Sequence, residues 1–289
     1  MIFLRKVIDS AFYLVHYPFK PEAVQRFLRK FIVLPYSMAV HLDYRGLVDF
    51  YVDGKRLVMQ SYNTPIEITV FWRGIFNGRE GAEIKLWSEL IKKADIVLDI
   101  GANNGIYALV ASVNEKAGVY AFEPVPAMYN LLKENLRLSN TINVYPRKEV
   151  ISDVNGKLNL YVPNSGWIDV ASIDESFAKK FLEDRTMIEV QCDSITVDEF
   201  LVKENITTDK KIVCKIDVEG AEDRVVLGMV ETMNNYNIIF MAELLNQEYF
   251  SKVLKLVPSD YKVYAIKKNE LVLCSEFIVG ANNYLFTKE

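Results

Sequence analysis

Carboxylates and glycines fall at a few positions in this chain where they could bind a charged nucleoside and work on a hydroxyl. Asp99-Ile-Gly-Ala-Asn-Asn-Gly105 closes one apolar run and opens a helical pattern. Asp99, Gly101, Ala102, Asn103 and Gly105 therefore share a tight strand-to-helix turn. A second apolar run, Val119-Tyr-Ala-Phe122, ends in Glu123-Pro124. A third ends near Glu149-Val150. A fourth ends in Lys215-Ile-Asp-Val-Glu-Gly-Ala-Glu222, where Lys215, Asp217, Glu219 and Glu222 crowd together. Carboxylates at such tips can grip a diol, take an ammonium group or an amino group, or accept a proton from a hydroxyl. Each also has a plainer use. Gly and Asp can simply make a turn, and an acid at a helix start complements the dipole.

The turn decides between two kinds of adenosine ligand. A dinucleotide fingerprint reads Gly-x-Gly-x-x-Gly, because a pyrophosphate must approach bare N–H groups. The spacing here is Asp99-x-Gly101-x-x-x-Gly105, with no second glycine where the pyrophosphate would lie and with a negative charge beside it. S-adenosylmethionine carries no phosphate. Its carboxylate suits a helix N-terminus and its ammonium suits Asp99, while Glu123 is placed to take both ribose hydroxyls. Glu149 could accept from an adenine amino group, with a neighbouring N–H meeting a ring nitrogen.

These tips need a sheet to carry them. From residue 95 onward, strands and helices alternate: strands at 96–100, 119–123, 142–151, 188–192, 211–217 and 238–244, and helices at 105–115, 126–139, 197–203, 220–234 and 246–256. Asn155-Gly156 predicts a hairpin that returns residues 157–162 against 142–151. Strands at 261–266, 271–274 and 283–287, joined without helices, predict an antiparallel edge. The expected fold is α/β, a Rossmann-like, mainly parallel sheet with helices on both faces. Ahead of it, residues 46–72 read as β structure: 47–51 and 57–59 flank the turn pair Asp53-Gly54, and 66–72 is a further β-rich run. Residues 78–93 read as a helix. The expected division is an N-terminal helical and β-hairpin extension at 1–78 and the sheet domain at 79–289.

Composition narrows the class. Hydrophobic residues make up 51% and charged residues 25%, ordinary for a globular chain, and the net charge of −4 argues against a nucleic-acid partner. Cys192, Cys214 and Cys274 are far apart and show neither disulfide nor metal spacing, so a reducing, cytoplasmic setting is expected. Residues 1–17 approximate an amphipathic helix, too short and too charged to span a bilayer, and Pro21 opens a second helix with Arg26, Arg29 and Lys30. Residues 1–36 carry a balance of +4. Such an arm could rest peripherally on an anionic membrane, act as a lid or dimer arm, or be a helix with a solvated face. The oligomeric state is open.

Together, Asp99-Ile-Gly-Ala-Asn-Asn-Gly-Ile-Tyr107, Phe122-Glu-Pro-Val-Pro126 with Asn135, and Lys215-Ile-Asp-Val-Glu-Gly-Ala-Glu222 with Val226-Leu-Gly228 resemble the FkbM family of S-adenosylmethionine-dependent methyltransferases. The resemblance covers roughly residues 80–245 and leaves 1–75 and 163–187 unmatched. It implies a class I methyltransferase fold and methyl transfer to oxygen, on a sugar, glycolipid or related small metabolite. By the resemblance, Asp99, Gly101, Ala102 and Asn103 line the methionine end, Glu123 holds the ribose, Glu149 and Val150 flank adenine, and Asp217 sits nearest the methyl group. Glu80 resembles a family glutamate ahead of the first motif. His16 and His41 lie outside the sheet, so the expected base is a carboxylate, Asp217 before Glu219. A divalent metal is not expected, although Asp217, Glu219 and Glu222 could coordinate one. Two other readings stay open: a non-catalytic binding module on this scaffold, and an NAD-dependent protein.

Overall fold

The computed structural model describes residues 22–32, 34–163, 187–268 and 270–289. The expected amphipathic helix at 1–17 and most of the unmatched segment 163–187 lie outside the described residues. The chain divides into two compact units, Met1–Ile84 and Lys85–Glu289.

In the first unit, the helices Glu22–Leu28 and Tyr36–Ala39 precede a hairpin of β1 (Gly46–Val52) and β2 (Lys55–Ser61). Its turn places Asp53 at φ 47° and Gly54 at φ 82°, the doubly left-handed geometry that this pair of residues favours. The run at 66–72 is not β structure. It lies in the helix Pro65–Arg73, capped by Thr64 with Glu67 completing a reciprocal capping box and Pro65 in the first turn. Ile66-Glu-Ile-Thr-Val70 alternates apolar and polar residues as a strand would, whereas Thr64-Pro65-Ile-Glu67 is a helix start signal. Glu67 is buried and also accepts from the Tyr62 N–H at 2.7 Å, which ties the helix start to the end of β2. The Tyr44 and Phe71 rings stack with centroids 3.6 Å apart.

The second unit is built on an eight-stranded sheet. Its strands are β3 (Ile96–Ile100), β4 (Gly118–Phe122), β5 (Val144–Arg147), β9 (Lys211–Ile216), β10 (Asn237–Glu243), β11 (Lys262–Lys267), β12 (Glu270–Leu273) and β13 (Asn283–Thr287). The order is β12-β11-β13-β10-β9-β3-β4-β5. β10, β9, β3, β4 and β5 run parallel, while β13, β11 and β12 form the antiparallel edge. β3, β9 and β10 are buried along nearly their whole length, as expected for strands covered on both faces. The chain steps outward from β3 to β4 and β5, then returns to β9 and β10 on the other side. The junction of β3 with β9 is therefore the switch point, where ligands enter sheets of this kind.

Two expectations are corrected in this unit. The single strand expected over 142–151 is two: β5, and the short β6 (Val150–Ile151), which leaves the main sheet. β6 pairs parallel with β8 (Met187–Ile195), and β8 pairs antiparallel with β7 (Gly156–Pro163). The turn at Asn155-Gly156 thus does not return β7 onto the strand before it. The helix expected over 220–234 is also two, Glu222–Leu227 and Val230–Asn235, parted at Gly228. A Cβ at Gly228 would lie 2.1 Å from the Ser152 carbonyl oxygen, so the break permits a close approach of backbone to backbone.

Candidate functional site

At the switch point, β3 ends in the Gly-rich turn. Gly101 takes φ 82°, Asn103 φ 50° and Gly105 φ 87°. A Cβ on Gly101 would stand 1.8 Å from the Asp217 carbonyl oxygen, so only glycine lets the ends of β3 and β9 meet so closely. Gly101 and Ala102 donate their N–H groups to the Phe122 carbonyl, at 3.0 and 2.9 Å, which binds the turn to β4. Asn135, fully buried on the helix Pro126–Leu138, donates to the Asn104 carbonyl at 2.8 Å. Through that bond the Asn135 of the sequence motif clamps the turn.

Asp99 is 1% exposed, and its Oδ2 has no hydrogen-bond partner. Burial raises its carboxyl to about 7, with the Lys215 ammonium and the Ala108 N–H pulling the other way. Glu123 is buried at the tip of β4. Its Oε2 accepts the Asn103 N–H and its Oε1 the Val125 N–H, both at 2.9 Å. Burial raises it to about 7 against those two bonds. Each oxygen keeps a lone pair for a further donor, which suits a vicinal diol. Pro124 follows, half-buried.

Beyond β9, the expected alignment of Lys215, Asp217 and Glu219 is realised only in part. Lys215 faces Asp99 in register across the parallel pair and is 1% exposed. Its Nζ donates to Asp217 Oδ2 at 3.0 Å and lies 5.2 Å from the centre of the Tyr107 ring. Tyr107 is itself held by the Trp87 indole N–H, which donates to its carbonyl at 3.0 Å. The strand ends at Ile216, so alternation stops there, and Glu219 sits at φ 56° in the following turn. Glu222 organises that turn. Its buried Oε1 accepts from the Val218 and Gly220 N–H groups, both at 3.2 Å, and burial raises its carboxyl to about 7.

The third tip lies where the expected strand divides. Glu149 is half-buried in the link from β5 to β6, and the Val150 side chain packs in a small core with Val125, Leu160, Val162 and Cys192. Arg147, at the tip of β5, is not among the residues the sequence singles out. Its guanidinium pairs with Glu204 and lies over the Tyr120 and Phe200 rings. The adjacent cations Arg147-Lys148 that close this strand are the signal that points to it. Glu80 is half-buried just ahead of the helix Gly81–Leu90, in the first unit. Among the described residues, no group of three His, Cys, Asp or Glu side chains could hold a metal ion.

The ends of β3, β4 and β9 thus gather three desolvated carboxyls, Asp99, Glu123 and Glu222, with Lys215 bonded to Asp217. This arrangement can take a ligand that brings positive charge and a diol. It would repel a pyrophosphate.

A family model described as Methyltransferase FkbM domain matches residues 99–264. A hexuronic acid methyltransferase, AglP of Haloferax volcanii, is 29% identical over 159 residues, covering 55% of this chain and 59% of its own length. A 2-O-methyltransferase, NoeI of Sinorhizobium fredii, is 26% identical over 186 residues, covering 59% of this chain and 74% of its own length. A solved FkbM methyltransferase from Methylobacillus flagellatus superposes with a TM-score of 0.41 at 12% identity, over 91% of this chain and 59% of that one. The chain thus spans 59% of the length of the AglP relative.

Proposed function

The chain belongs to the FkbM methyltransferase family, and from that premise we propose that it transfers a methyl group from S-adenosylmethionine to a sugar hydroxyl. The observation that carries the cofactor is the unpartnered Oδ2 of buried Asp99, beside a Glu123 also raised by burial. Desolvated carboxyls favour a ligand that brings its own positive charge. The residues present fit S-adenosylmethionine: Asp99 suits its ammonium, Glu123 its ribose diol, and the Glu149-Val150 link its adenine. When bound, it supplies a methyl group already activated on a sulfonium.

Two things then fall to the chain's own residues. They must hold the acceptor oxygen in line, a contribution on the order of 7–11 kcal/mol when orientation is good. They must also take the hydroxyl proton, which adds about 10²–10⁴-fold. Asp217 serves as the proton acceptor, with Lys215 fixing its carboxylate through Oδ2, and Glu219 is the second candidate. Support for the acceptor class comes from the two relatives: one is named for a hexuronic acid, the other for 2-O transfer.

Thermal shift tests the cofactor directly. S-adenosylhomocysteine should raise the melting temperature and NAD should not; the reverse result would remove the methyltransferase reading. Transfer of labelled methyl to uronic acids, neutral sugars and their glycosides then identifies the acceptor.

A further inference from the structure

We propose that the exposed side chains of Phe27, Phe31, Ile32, Tyr36 and Met38 form a surface that docks on an anionic lipid bilayer. They are exposed at 60%, 72%, 41%, 42% and 39%. The Phe27 and Phe31 rings lie 5.1 Å apart, so the two form one apolar face at the end of the helix Glu22–Leu28. Five large apolar side chains left in water within so short a stretch differ from the scattered single exposures of an ordinary surface.

Charge selects the occupant. Residues 23–42 contain Arg26, Arg29 and Lys30 and no acidic residue. Arg26 and Arg29 turn inward to Asp49, at 3.3 and 3.5 Å, while Lys30 stays exposed beside the apolar face. Residues 1–36 carry +4 in a chain whose net charge is −4. A bilayer bearing phosphatidylglycerol or a similar lipid would attract this end and repel the remainder. A second copy docking face to face would bring the same exposed Lys30 and no anionic partner for it. Aromatic rings with a nearby ammonium suit the boundary of headgroups and acyl chains. No helix among the described residues is long and apolar enough to cross a membrane.

The full chain should be sedimented with vesicles of phosphatidylcholine alone and of phosphatidylcholine with phosphatidylglycerol, at low and high salt. Partition should be about tenfold or more stronger on the anionic vesicles and should weaken with salt. Phe27→Ser with Phe31→Ser should lower it about tenfold, with the melting temperature and its S-adenosylhomocysteine shift unchanged. Lys30→Glu should weaken anionic binding alone. Equal binding by the wild type and the double variant would overturn the assignment. So would absence of vesicle binding, or light scattering that shows a dimer which the double variant loses. The vesicle and light-scattering readouts do not depend on the methyl-transfer reading; the S-adenosylhomocysteine shift serves only as a control for folding.

Discussion

Asp217 and Lys215 form a pair with separable duties. In Asp217→Asn the side chain keeps its volume and an oxygen for the Lys215 Nζ, but it no longer takes a proton. Binding of S-adenosylhomocysteine should persist by calorimetry, while turnover falls about 10²–10⁴-fold. Near-normal turnover would move the base to Glu219. Lys215 also reaches Asp99, whose carboxyl it pulls downward from the height set by burial. Lys215→Met removes that pull and keeps most of the stem volume. Asp99 then titrates above its present value of about 7, so a ligand ammonium meets a neutral acid over a wider range. The pH at which S-adenosylhomocysteine binding reaches half its limiting strength should shift upward. A downward shift, or none, would uncouple Lys215 from the cofactor site. This pairing was only half legible in the sequence. Alternation puts Lys215 and Asp217 on one side, but it does not tell that the strand ends at Ile216 and leaves Glu219 in a turn.

Among the elements, the two glycines of the β3 turn differ in what a side chain would strike. At Gly101 it is the Asp217 carbonyl, which is backbone and cannot yield without parting β3 from β9. At Gly105 it is Leu132 Cδ1, the far end of a side chain, 2.5 Å away. Both have positive φ. Gly105→Ala should cost about 1–2 kcal/mol, mostly for the left-handed backbone. Gly101→Ala should cost on the order of 3 kcal/mol or more and abolish cofactor binding. Denaturant unfolding with a ligand titration checks both, and equal costs would mean that the β3–β9 junction gives way easily. The central strands were legible because parallel strands buried on both faces read as continuous apolar runs ending in charged tips. The partnership of β6, β7 and β8 was not. Their pairing joins residues far apart in sequence, and local turn chemistry at Asn155-Gly156 pointed to the nearer strand. The helix break at Gly228 depends likewise on the distant Ser152 carbonyl.

The whole second unit is coupled to pH by the acids buried at the ends of β3, β4 and β9. Asp99, Glu123 and Glu222 all stand near 7 when folded, well above the ordinary carboxyl range they regain on unfolding. A raised carboxyl favours the folded state fully at low pH, and that advantage fades as pH rises through the folded value. Each contributes on the order of 3 kcal/mol against folding once ionised. Asp153, held below the ordinary range by its bond to Arg224, acts oppositely and loses its contribution only as the medium turns strongly acid. Stability of the ligand-free protein should therefore be greatest near pH 4, fall as the pH rises from about 4.5 to 7, and level off above that. A cationic nucleoside reverses that decline, since it binds the ionised carboxyls whose charge it offsets. The rise in melting temperature produced by S-adenosylmethionine should accordingly grow from pH 6 to pH 8, as read by calorimetry at a fixed excess of ligand. A rise that shrinks over that range would mean that the buried acids do not face the ligand's positive charge.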